Sequence, residues 1–79
     1  MFQDLEYQKL LEKLRSARIE RGLTQEEASV AFSRPADFVS SVEDGTRRID
    51  PVELCRFAVL YQKPVTWFLS DIENLSPEE

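Results

Sequence analysis

The sequence predicts an all-α fold, a compact bundle of five helices, on three observations. No stretch alternates apolar and polar residues with the period of a half-buried strand. Apolar residues instead recur at the three- and four-residue spacing of a helix face, as Leu10, Leu14 and Ala17 do. Both glycines and three of the four prolines fall where those helical runs begin or end, the fourth, Pro77, lying in the tail. Cap chemistry and apolar spacing thus specify the same boundaries, which is how a chain encodes one structure.

The first helix is expected over residues 4–21, with Leu11 widening the stripe of Leu10, Leu14 and Ala17. Gly22 ends it in the left-handed conformation that other residues resist. Thr24 then starts a second helix, and Glu27, three residues on, completes a capping box. Ala28 and Phe32 are its core positions. A break falls at Ser33-Arg34-Pro35, and proline is tolerated in a first helical turn because its missing N–H would go unused there. The third helix is therefore expected over 35–44, burying Val39 and Val42, with Gly45 closing it. After a short connection, Asp50, Pro51 and Glu53 supply the fourth helix with a cap, a first-turn proline and a reciprocal acid. Leu54, Phe57, Ala58 and Tyr61 can then face inward. Pro64 starts a short fifth helix containing Val65, Trp67, Phe68 and Leu69 and reaching toward Ile72. Residues 1–70 read as one domain and 71–79 as an acidic C-terminal tail.

Composition excludes several function classes. The chain has no histidine, and Cys55 is its single cysteine, so metal-ligand spacing, a disulfide staple and a Ser/His/Asp set are all missing. Cys55 sits in an apolar run, which suits packing in a reducing compartment. There is no glycine-rich phosphate loop, and the expectation is a protein that is not an enzyme and carries no cofactor, metal or small-molecule ligand. No apolar stretch approaches the ~20 residues that span a bilayer. The N-terminus lacks a basic region followed by an apolar one, so a soluble cytoplasmic protein is expected. The net charge of −5 argues against nucleic acid, but its distribution softens the objection. Four of the fifteen acids lie in residues 71–79, leaving eleven acids against ten bases over 1–70.

Residues 23–45, LTQEEASVAFSRPADFVSSVEDG, place two short capped helices around a tight break. That is the layout of a helix-turn-helix, whose second helix enters the major groove of DNA. The run Leu14-Arg15…Arg18…Arg21-Gly22-Leu23-Thr24-Gln25-Glu26-Glu27, followed by Arg34-Pro35…Phe38-Val39-Ser40…Glu43…Gly45…Arg47-Arg48…Asp50, resembles the Cro/phage-repressor type of regulator, also called the XRE family. The likeness runs over about residues 10–70 and needs no gap between 23 and 45. It implies a lambda-repressor-like DNA-binding domain with its recognition helix at 35–44. It further implies that Gln25 bonds a backbone phosphate at a helix N-terminus, where free N–H groups favour an anion. Arg34 would clamp a phosphate or reach a guanine edge, and Ser40 would touch phosphate or base. Thr46, Arg47 and Arg48 would touch the backbone after the recognition helix. Arg18 and Glu43 fall where the family has an internal ion pair between helices one and three. Without the resemblance, the same positions read as a solvated glutamine, exposed arginines and a surface serine.

Several positions depart from the family. Its main base-reading sites hold Ala36, Asp37 and Ser41 here. Alanine can meet only a thymine methyl, Asp37 can accept from a cytosine amino group or serve its own helix N-terminus, and Ser41 is short. One good bidentate contact supplies ~1–3 kcal/mol of discrimination, so losing two removes much of a typical specificity ratio of ~4–10 kcal/mol. Ser33 replaces the usual turn glycine, and apolar Val30 and Ala31 hint at a partner surface. The expected function is a sequence-specific DNA-binding transcriptional regulator, a repressor that binds double-stranded DNA at an inverted repeat as a homodimer. Trp67 and Phe68, or Phe2 and Tyr7, are candidate pairing residues, and the acidic tail would limit nonspecific binding. The alternative is a helix-turn-helix fold repurposed for protein–protein binding, an antirepressor or antitoxin-like adaptor, which the acidic balance, Ala36 and Asp37 also fit.

Overall fold

Most helix ends are set by the residues expected to set them. In the computed structural model, which describes residues 5–70, the elements are α1 (Leu5–Glu20), α2 (Gln25–Ala31), α3 (Phe38–Glu43), α4 (Pro51–Tyr61) and α5 (Val65–Phe68). Thr24 caps α2 and Asp50 caps α4, each through a complete capping box with the glutamate three residues on. Gly22 and Gly45 close α1 and α3 with φ of +82° and +87°, angles that cost other residues a steric clash. The expected start of the first helix at Asp4, Phe2, Ile72 and the acidic tail lie outside the described residues.

The core takes one stripe from every helix. Leu10, Leu14 and Ala17 of α1 meet Ala28 of α2, Phe38, Val39 and Val42 of α3, and Leu54, Phe57, Ala58 and Tyr61 of α4, with Phe68 of α5 at one end. An aromatic cluster fills the space under the turn between α2 and α3. Phe32 lies 4.5 Å from Phe57 and 5.6 Å from Phe38, centroid to centroid. Such tilted pairs add to the stabilisation that burial alone supplies. Among the described residues, no helix is long and apolar enough to cross a membrane, and no group of His, Cys, Asp or Glu could hold a metal.

Three expectations need correction. The third helix begins at Phe38 rather than at Pro35. A helix from Pro35 would bond the Val39 N–H to the Pro35 carbonyl, but that N–H donates instead to Ser29 Oγ at 2.9 Å. Pro35 only closes a three-residue turn with the Phe38 N–H at 3.0 Å, and the α-ladder starts with the Ser41 N–H on the Asp37 carbonyl at 3.1 Å. Asp37 precedes the helix without capping it through its side chain. Cys55 is exposed rather than packed. The buried stripe of α4 runs through Glu53, Leu54, Phe57, Ala58 and Tyr61, and Cys55 falls outside it on the helix's outer face. Phe38, with no assigned place in the expected core, is buried there.

Candidate nucleic-acid interface

The mutual angle of α2 and α3 rests on a few buried polar contacts. Ser29, fully buried, donates to the Gln25 carbonyl and accepts from the Val39 N–H, so one hydroxyl joins the two helices. Arg18 of α1 reaches α3 through a bidentate pair with Glu43, Nε to Oε2 at 2.7 Å and Nη2 to Oε1 at 3.2 Å. Its Nη1 donates to the Leu23 carbonyl at 2.8 Å. The side chains are 10% and 7% exposed, so this pair is desolvated and strongly directional. Bonding to Glu43 holds the Arg18 guanidinium above its ordinary pKa, against the opposing effect of burial. Arg18 and Glu43 therefore orient α3.

Gln25 opens α2 half-buried, and its Nε2 donates to Glu43 Oε1 at 2.9 Å. Its amide is thus tied to α3 in the free protein. Ala36 and Asp37 are exposed in the turn before α3, not on its first helical turn. Asp37 nonetheless contributes its carbonyl, which accepts from Ser40 Oγ at 3.0 Å. Ser40 and Ser41 are half-buried on α3. The Ser41 carbonyl accepts from the Arg47 N–H at 3.1 Å, which fixes the start of the following loop. Thr46 is exposed, and both its N–H (2.9 Å) and its hydroxyl (2.7 Å) face Asp44 Oδ1. These bonds, the backbone one foremost, lower the Asp44 pKa.

The three arginines flank α3 in two groups. Arg34 and Arg47 both donate Nη2 to Glu53 Oε2, at 3.2 Å and 2.6 Å, and both guanidiniums lie over the Phe38 ring. Arg48 stands apart, exposed, with its guanidinium 4.0 Å from the centroid of the Tyr7 ring. Tyr7 is half-buried and its hydroxyl accepts from the Ile49 N–H at 3.2 Å, so it braces this loop and is not a free pairing residue. Of the pairing candidates on α5, Phe68 is buried in the core, and Trp67 is half-buried between Lys13 and Lys63, whose Nζ atoms lie 4.6 Å and 4.8 Å from its ring centre.

The structure thus brings Arg34 and Arg47 together beside Phe38 at the start of α3 and leaves Arg48 apart over Tyr7, with Ala36, Asp37, Ser40 and Ser41 on or before the helix. Sequence reasoning missed three contributors: Ser29, Phe38 and the second role of Glu53. The capping motif identified Glu53 as a cap, but nothing in the order of residues links it to Arg34, nineteen positions away. The charge of the surface is mixed, since residues 34–53 hold three arginines and five acids. Two of those acids, Glu43 and Glu53, are neutralised by arginines.

A family model described as "Helix-turn-helix domain" matches residues 9–66. A solved structure of an "XRE-family like protein" from Pseudomonas syringae pv. tomato str. DC3000 is similar to this chain at 36% identity, with a TM-score of 0.76. That match covers 91% of this chain and 90% of the other. No curated protein matches significantly.

Proposed function

The chain belongs to the XRE family of helix-turn-helix transcriptional regulators, and from that premise we propose that it is a sequence-specific repressor acting in the cytoplasm as a homodimer on an inverted repeat. The observation that carries this reading is that Arg34 and Arg47 gather over Phe38 at the start of α3, with Arg48 exposed in the loop that follows the helix. Cations there meet the sugar-phosphate backbone beside a helix inserted in the major groove. Gln25 and Thr46 add backbone contacts. Ala36, Asp37, Ser40 and Ser41 face the bases, where short side chains read little by hydrogen bonding. Specificity then comes from dimeric half-site spacing of ~34 Å and from the shape of the duplex. One such domain covers only a half-site.

The test is fluorescence anisotropy with duplex DNA from upstream of the chain's own gene, at several salt concentrations. Log affinity should fall with log salt at about −0.9 per phosphate neutralised. Two chains should bind each duplex. Replacing Arg47 and Arg48 with alanine should weaken binding to all sequences alike. A flat salt response, or no binding in low salt, removes the reading.

One observation favours a second reading, a module that binds protein. The end of α2 and the outer face of α4 form a cleft of about 580 Å3 whose walls include Ala31, Phe32, Val52, Cys55, Val59 and Leu60. Val52 and Val59 are 63% and 79% exposed, and Val30 nearby in sequence is 69% exposed. Exposed apolar clusters of this kind mark contact surfaces.

A further inference from the structure

We propose that Glu53 is a positioning residue that joins Arg34 and Arg47 into one two-pronged clamp for a single backbone phosphodiester; this rests on the DNA-binding reading above. The two arginines lie on opposite sides of α3 in the chain, one in the turn before it and one in the loop after it. A single oxygen, Glu53 Oε2, accepts from both, so their Nη2 atoms can be no farther apart than those two bonds together allow. That span suits two guanidiniums on one tetrahedral anion. Unrestrained, two such cations would repel each other. Glu53 offsets the repulsion and leaves the trio with a net charge of about +1, matched to the single negative charge of one phosphodiester.

Exposure shows which way the trio faces. The Glu53 side chain is 8% exposed, while those of Arg34 and Arg47 are 34% and 40% exposed. The acid lies beneath, and the guanidiniums keep unused N–H donors toward solvent. The floor is the buried ring of Phe38, 4.6 Å from the Arg34 guanidinium carbon and 5.0 Å from that of Arg47. Cations over an aromatic face gain from its negative quadrupole.

The clamp is also held independently of any ligand. Glu53 Oε1 accepts from the Asp50 N–H at 3.1 Å, and the Glu53 N–H donates to Asp50 Oδ1 at 2.7 Å. The capping box thus holds the carboxylate through bonds that involve neither arginine. The Arg34 N–H donates to the Ser29 carbonyl at 3.0 Å and the Arg47 N–H to the Ser41 carbonyl at 3.1 Å. Main chain, carboxylate and ring together restrict both guanidiniums to one place, which lowers the entropy lost on gripping a phosphate.

The test uses the full chain in salt-dependent anisotropy titrations, with the variants R34Q, R47Q, R34Q/R47Q and E53Q. One shared phosphate means that each single arginine variant lowers the salt slope by about 0.9 and the double variant lowers it no further. Two separate phosphates would lower the slope of the double variant by about 1.8 and make the losses in affinity multiply, which overturns the clamp. Glutamine at position 53 can keep the capping bond to Asp50 while removing the charge that gathers the arginines. E53Q makes the protein more positive, so simple electrostatics would tighten binding. Positioning instead weakens it about tenfold, with the slope reduced, in a protein that still melts cooperatively. Tighter binding by E53Q overturns the proposal. Should E53Q fail to fold, the arginine series decides alone, because it leaves Glu53 and its cap in place. Wild-type protein that binds no duplex overturns the DNA reading and the clamp together, whereas wild-type binding with additive arginine losses removes only the clamp.

Discussion

Single side chains decide how rigidly α3 is held. The Arg18–Glu43 pair was implied by resemblance to the family, and it forms with both partners desolvated. Removing one partner leaves the other charge buried, so Glu43→Ala should destabilise the domain by about 3–5 kcal/mol in urea denaturation. Tyr61 shows the opposite case. Its hydroxyl is buried with no hydrogen-bond partner among the described residues, and burial pushes its pKa well above the ordinary 10.0. An unpaired buried hydroxyl is a cost, so Tyr61→Phe should be neutral or stabilising by up to about 1 kcal/mol near pH 7. The folded phenol stays protonated where the unfolded one ionises. The contribution of Tyr61 is therefore constant below pH 10 and lost as pH rises above it. Melting temperatures compared between wild type and Tyr61→Phe should diverge further in favour of the variant as pH climbs past 10. Ser29 was illegible beforehand because a serine in a helix gives no sign that its hydroxyl meets another helix.

Among the elements, the α2–α3 turn holds stored strain. Ser33 takes a φ of +58°, a left-handed conformation in which the Cβ of an L-residue is crowded. The family's customary glycine would sit there without that clash. Ser33→Gly should therefore raise stability by up to about 1 kcal/mol, the relief being partly offset by greater freedom in the unfolded chain. A lower melting temperature would show that the turn is not strained. Capping boxes at Thr24 and Asp50 were readable because they depend on residues three positions apart. The start of α3 was not, since a hydroxyl from α2 takes the N–H that would have begun it. The fate of Cys55 likewise depended on which way α4 turned, and an apolar run does not say.

At the scale of the whole molecule, affinity for DNA must come from local geometry rather than from total charge. A chain with net charge −5 gains no long-range attraction to a polyanion. The clefted face of α4 also offers a measurement. Val59 is so exposed that Val59→Asp should change folding stability by less than about 0.5 kcal/mol. Unchanged DNA affinity in that variant is the expected outcome. Weaker binding with the fold intact would place chain pairing on that face. Helix count, most helix ends and most core positions were written in the chain itself, because capping, glycine conformation and apolar period are local properties. Which cations face outward, which acid gathers them and where α3 begins were settled only by packing. Glu53, Arg34 and Arg47 are separated along the chain, and the carboxylate meets both where they lie over the buried Phe38 ring.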